Sequence, residues 1–209
     1  MKKAKVLPCK RPYSLGKRLE LSDKKKARIL AAARLLLEKD GFLALTLEIL
    51  AGESGVTRQT VHNLFGSKTG VLEALFDQIA FSSGMEQMRN VMQQPDPDTM
   101  LDGFIGVFSA FWTKNRLLFR RIHGIAAIDP EFGSVLLARN QRRLSAATRI
   151  LSVRSSKTGE NFAEQTAQRV AVLHALSSFE FFDALAESCG SADQAARLLP
   201  GLVKKALGM

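Results

Sequence analysis

The chain has 209 residues, is 46% hydrophobic and carries a formal net charge of +10, which supports one large or two small domains with a real core. Cys9 and Cys189 lie far apart and outside any CxxC or His-rich spacing, so a disulfide framework and a structural zinc site are not expected, and no metal or cofactor is assigned. No apolar run approaches the ~18 residues of a membrane span and the first ten residues lack a secretory apolar core, so no membrane partner is expected and a reducing cytoplasm is the default location.

The charge is unevenly placed. Residues 1–34 hold twelve Lys or Arg against only Glu20 and Asp23, so this front end carries the whole net charge and the rest of the chain is close to neutral. Such asymmetry points to a polyanion met by the N-terminal end, where neutralised phosphates release counterions. Residues 1–20, with Pro8 and Pro12 and little periodicity, read as a flexible basic arm. Arg11, Lys17, Arg18 and Lys24 to Lys26 are its candidates for contacting that polyanion, and a solvated tail that only aids solubility is the alternative.

From Ser22, a plausible N-cap, Ile29, Leu30, Ala33, Leu36 and Leu37 repeat along one helical face until Asp40-Gly41. A short helix follows from about Leu47 to Glu53, capped by Thr46 and carrying Glu48 in its first turn. Ser54-Gly55-Val56 makes a tight turn, and Thr57 caps a third helix running to about Leu64. Gly66 ends it, and Ser67 caps a fourth helix with Val71, Leu72, Leu75, Phe76 and Ile79 on one side, extending to about Asn90. Pro95 to Asp98 is a turn, with Asp98 placed to cap a helix through Phe111. Another helix opens near Asn115 or Arg116, and Asp129-Pro130 reads as an N-cap followed by Pro at N1. Residues 154–159 read as a polar loop, Ala163 to Glu187 as one long helix, and a last helix begins near Ser191 or Ala192 and is kinked or ended by Pro200-Gly201. No period-2 strand pattern appears, so the expected fold is all-α.

The stretch from Thr46 to Phe65 meets the demands of a helix-turn-helix. Ala51 supplies the small contact between helices, Gly55 the turn that needs positive φ, and Val56 and Val61 the buried pins, with Phe65 closing against Leu36 or Leu37. Thr57, Arg58, Gln59, Thr60, His62 and Asn63 are left facing outward. Arg pairs well with guanine and Gln or Asn with adenine, so this is a surface suited to reading bases.

The stretch from Ile29 to Phe76 resembles the DNA-binding domain of TetR-family repressors. The resemblance rests on helix one ending in Gly41-Phe42, then Thr46, the Ser-Gly-Val turn, Thr60-Val61, Phe65, and Ser67-Lys68 followed by Leu72. It implies that Thr46 and Lys68 bind phosphate at helix N-termini and that Arg58, Gln59 and Asn63 face bases. The family pattern has Tyr where this chain has His62, and imidazole can still donate to a phosphate there. The expected organisation is a basic arm over 1–20, a three-helix helix-turn-helix domain over 21–68, and a larger helical-bundle domain over 69–209 that binds effector and dimerises.

For that second domain the resemblance implies a pocket for a small, usually apolar effector, a dimer interface built by the last two long helices, and transmission through tilt of the fourth helix. Phe108, Trp112, His123, His174 and Phe181 are the candidate effector-binding residues. Ala171, Ala175, Ser178 and Leu185, with Ala192, Ala195, Ala196, Leu199, Leu202 and Val203, are candidates for the dimer face. Two-fold symmetry then requires a palindromic double-stranded DNA operator with half-sites ~34–36 Å apart. The expected function is a homodimeric transcriptional regulator, a repressor released by a small lipophilic effector; the alternative is an effector-independent architectural DNA-binding protein of the same fold. An enzyme is not expected, because HExxH, GxGxxG, GxxxxGK and GxSxG are all missing.

Overall fold

The computed structural model describes residues 15–39, 45–158 and 163–209, and every regular element among them is a helix. The first four are α1 (Leu15–Lys39), α2 (Leu47–Ser54), α3 (Arg58–Phe65) and α4 (Lys68–Ser82). Thr46 accepts the Ile49 amide, Thr57 the Thr60 amide and Ser67 the Gly70 amide, each at 3.1 Å, so three successive helices start where a local hydroxyl satisfies an orphan donor. α1 begins at Leu15, not at Ser22. The run from Leu15 to Leu21 is rich in strong helix formers, so a competent cap at Ser22 does not oblige the helix to start there. Residues 15–20, expected to belong to the flexible arm, are therefore the first turns of α1; residues 1–14 of the arm, the proposed stop at Asp40-Gly41, and Phe42 lie outside the described residues.

The buried face of α1, Ile29, Ala33 and Leu37, meets Leu50 and Ala51 of α2, Val61 of α3 and Leu72 and Leu75 of α4 in one core cluster. α4 stops at Ser82, short of the predicted Asn90, because Ser83 and Gly84, the latter at φ 81°, turn the chain before the short α5 (Gln87–Val91).

The rest of the chain builds a helical bundle from α6 (Pro97–Ile128), α7 (Pro130–Thr158), α8 (Ala163–Leu176), α9 (Phe179–Cys189) and α10 (Ala192–Ala206). Asp96, not Asp98, caps α6, taking the Thr99 amide at 2.9 Å with Pro97 as the first helical residue. The predicted break near Asn115 is a kink inside one long helix: Asn115 adopts φ −121°, ψ 18°, and its Nδ2 donates to the Phe111 carbonyl and to Ser83 Oγ. Asp129 caps α7 through the Phe132 amide at 3.1 Å. The expected polar loop at 154–158 is instead the last turns of α7, held by Arg154 on Asp98 and Lys157 Nζ on the Pro95 carbonyl at 2.8 Å.

The long helix expected from Ala163 to Glu187 is two helices, broken at Ser177-Ser178. Ser178 Oγ caps α9 by accepting the Phe181 amide. The carbonyls freed at the break find side-chain donors from elsewhere in the bundle. Arg143 Nη1 donates to the His174 carbonyl at 2.6 Å, and Trp112 Nε1 donates to the Ser177 carbonyl at 3.1 Å. α10 runs through Pro200, against the expected kink or end. The missing amide is tolerated because Ala195, Leu199 and Val203 are each 0% exposed and packing holds the helix on both sides of the proline. Those three residues, assigned to the dimer face from the sequence, are therefore core of the single chain.

Candidate nucleic-acid interface and ligand cavity

Between α2 and α3 the chain reverses at Gly55, whose φ of 62° is left-handed backbone that suits glycine. The Val56 amide returns to the Ala51 carbonyl at 3.0 Å, and Arg28 of α1 reaches the Gly55 carbonyl. Val61 is 0% exposed and fixes the back of α3, while Val56 and Phe65 are half-buried against the same core. That anchoring leaves Thr57, Arg58, Gln59, His62 and Asn63 exposed and Thr60 half-exposed.

These outward groups are already arranged. Gln59 Nε2 donates to Asn63 Oδ1 at 2.7 Å, Thr57 and Thr60 hydroxyls lie 2.9 Å apart, and Arg58 pairs with Glu48 of α2. The first two pairs link positions about one turn apart along α3 and its cap, and the third ties α3 to α2. Thr46 and Lys68 stand at the N-termini of α2 and α4, where backbone amides and the helix dipole favour an anion. Burial pulls the Lys68 ammonium below its usual value, and the Asp129 carboxylate at the start of α7 draws it back up. Of the arm's candidates, Lys24, Lys25 and Lys26 are exposed on α1; Arg11 lies outside the described residues.

Residues 29–75 match the model of the bacterial regulatory proteins of the tetR family. The match covers the C-terminal part of α1, all of α2 and α3 and the first half of α4, the stretch that holds the helix-turn-helix. The whole chain also has a TetR-like fold. A TetR transcription regulator from Haloarcula marismortui superimposes with a TM-score of 0.65 at 13% identity, covering 88% of this chain and 96% of that one. A TetR-family transcriptional regulator from Thermus thermophilus gives 0.62 at 22% identity over 84% and 93%. A Saccharomonospora viridis protein described as a transcriptional regulator, solved in complex with choline, gives 0.61 at 15% over 87% and 96%. Among curated proteins, none matches the chain.

Beyond the matched stretch, the bundle holds a cavity of about 310 Å³, partly open to solvent, lined by α4, α5, α6, α7 and α9. Phe108, Phe111, Trp112 and Phe179 form an aromatic wall, and Trp112 meets Phe119 edge-on with ring centres 4.8 Å apart. His123 also lines the cavity, its Nδ1 3.0 Å from Glu180 Oε1, a contact that holds the Glu180 carboxyl down to about 2. His174 and Phe181, predicted beside these, do not line it. The break at Ser177-Ser178 resets the helical phase, so Phe179 faces the space in place of Phe181, while His174 Nε2 bonds the Asn140 carbonyl at 3.2 Å.

The sequence reading missed the opposite wall, Arg139, Asn140, Arg142 and Arg143 of α7. A signal was present: Arg139, Arg142 and Arg143 recur at i, i+3 and i+4 and share the helix with the apolar positions Leu136 and Ala146, so they border an apolar stripe. Arg139 pairs with Asp77 of α4, lies 4.2 Å above the Phe76 ring and reaches the Glu73 carbonyl. Among the described residues no group of three or more His, Cys, Asp or Glu side chains could hold a metal ion, and no helix is long and apolar enough to cross a membrane.

Proposed function

We propose that the protein is a homodimeric transcriptional repressor that leaves a palindromic operator when a small effector fills the bundle cavity. The observation that carries the DNA-binding half is α3 itself: Val61 fully buried behind it, with Arg58, Gln59, His62 and Asn63 exposed in front. Arg58, Gln59 and Asn63 would read bases, and Thr46, Thr57, Thr60, His62 and Lys68 would grip phosphates. The domain division at about residue 68, a basic N-terminal end that includes the start of α1, and a cytoplasmic location belong to the same reading.

Dimerisation is supported by the apolar residues that a single chain leaves uncovered at its C-terminal end. Val172 of α8 and Leu198 and Leu202 of α10 are 36%, 50% and 39% exposed, and the same helices expose Ala171, Ala175 and Gly201, whose small size permits close helix approach. The cavity supports the effector half and disfavours an effector-independent architectural role, which needs no such space; the choline-bound relative is a precedent for a small ligand in this fold.

Arg139 offers a physical link between the two halves. It lines the cavity and at the same time ties α7 to Asp77 and Glu73 of α4, whose N-terminus carries Lys68. An effector that prefers the conformer in which this tie is shifted moves α4, and with it the spacing of the two recognition helices.

Selection of bound duplexes from a random pool tests the reading. A palindrome with half-sites about one helical turn apart is expected; enrichment of unpaired half-sites or of no sequence would overturn it. Arg139→Met should retain operator affinity and lose most of the ligand response.

A further inference from the structure

We infer that the bundle cavity selects an organic anion, a carboxylate on a compact aromatic or alkyl body, and that Arg143 is its anchor. This rests on the proposed effector role of the same cavity and concerns the chemistry of what enters.

Arg143 is only 5% exposed, lines the cavity, and makes no ion pair among the described residues. The other two arginines of the wall differ from it: Arg139 is neutralised by Asp77, and Arg142 is exposed. The acidic group that supports the Arg143 charge is Glu180, whose carboxylate is hydrogen-bonded by His123. A guanidinium buried without its own carboxylate is costly, and proteins rarely keep one unless something pairs with it.

The hydrogen-bond inventory sharpens the point. Nη1 donates to the His174 carbonyl at 2.6 Å and to Ser177 Oγ at 3.2 Å, and Nη2 donates to Asn140 Oδ1 at 3.4 Å. Guanidinium has five N–H donors, so Nε–H and one Nη2–H remain, two donors left for a carboxylate. Burial lowers the Arg143 pKa to about 10, which leaves the group cationic at neutral pH.

The remaining walls fix the body of the ligand. Phe108, Phe111, Trp112, Phe179 and the methionines Met85 and Met88 are apolar, and the Trp112 N–H is already engaged by the Ser177 carbonyl. The volume of about 310 Å³ is near the lower end of small-ligand sites, equal to about ten water volumes. A single negative charge at one end of a compact apolar body satisfies both walls, whereas a cation of the same shape gains nothing from the buried Arg143.

Trp112 is the only tryptophan of the chain and stands in the cavity wall, so its fluorescence reports occupancy directly. The full-length protein is titrated with two matched trios: 3-phenylpropionate, 3-phenylpropanol and 3-phenylpropylamine, then octanoate, octanol and octylamine. Each carboxylate should bind at least about tenfold tighter than its alcohol, the discrimination expected when charge-assisted hydrogen bonds are gained, and the amines weakest. Arg143→Gln should abolish that preference and Arg142→Gln should retain it. Alcohols binding as tightly as acids would overturn the anion proposal while leaving the cavity an effector site. Loss of the preference in Arg142→Gln with retention in Arg143→Gln would overturn the anchor. Silence from all six probes would overturn both the proposal and the effector reading beneath it. Because Arg143 also braces the α8–α9 break, the trio comparison on the unmutated protein decides the charge question even if Arg143→Gln does not fold.

Discussion

Replacing Trp112 by Phe tests whether the α8–α9 break is held by tertiary hydrogen bonds. Trp112 is 6% exposed, and its Nε1 donates to the carbonyl of Ser177, a residue only 1% exposed, at 3.1 Å. Phenylalanine preserves an aromatic ring among Phe108, Phe119 and Phe179 but removes the donor. A buried carbonyl left without a partner costs about 1–3 kcal/mol. Shrinking indole to phenyl forfeits on the order of 40 Å² of buried apolar surface, about 1 kcal/mol. The sum is about 2–4 kcal/mol, which for a chain of this length lowers Tm by roughly 5–15 °C. The assay is thermal unfolding followed by circular dichroism at fixed protein concentration, since association shifts Tm by mass action. A fall under about 2 °C would refute the reasoning, because it would mean that the Ser177 carbonyl is satisfied without Trp112.

Other expectations bear on the DNA-binding unit and on pH. Gly70→Ala should destabilise the protein by about 1–3 kcal/mol or more, because a Cβ there lies 2.0 Å from the Phe65 carbonyl oxygen, which is backbone and cannot rotate away. Gly52→Ala, on the exposed side of α2 with nothing within 4 Å of its Cβ, should instead stabilise by about 0.5–1 kcal/mol; equal effects in chemical denaturation would contradict the packing argument. Asn63→Ala should cost about 1–3 kcal/mol on the selected operator and relax specificity at one base pair, whereas Lys68→Ala should weaken all sequences alike and reduce the salt slope by about one. Fluorescence anisotropy across a salt series separates the two. Glu180 has its pKa depressed to about 2 from 4.5, chiefly by the hydrogen bond from His123. Its contribution is therefore fully present above pH 4.5 and is lost as pH falls through about 2. Glu180→Gln should reduce the acid sensitivity of Tm in that window, and an unchanged pH profile would remove Glu180 as a cause.

The helix starts at Thr46, Thr57, Ser67 and Asp129, the turn at Gly55, and the outward set on α3 were determined by the sequence alone. Each depends on groups three or four residues apart, so the chemistry that creates them is visible in any short window. The periodic burial of Ile29, Ala33 and Leu37 is of the same kind, and so is the unequal placement of charge. Ser22 shows the limit of that logic, because a local cap signal permits a start without forbidding helix before it.

What only the tertiary structure decided is the ligand cavity. The division of α8 from α9 depends on Arg143 and Trp112, 31 and 65 residues before the carbonyls they bind, and no local pattern near Ser177 announces those partners. That division sets the phase of α9, exchanging Phe181 for Phe179 at the cavity and tying His174 to Asn140. Burial likewise turned Ala195, Leu199 and Val203 from a supposed interface into core, because a helical face records only that it is apolar, not whether its own chain or a second copy covers it. Local hydrogen bonding fixed where the helices begin; long-range capture of backbone carbonyls fixed which side chains line the cavity.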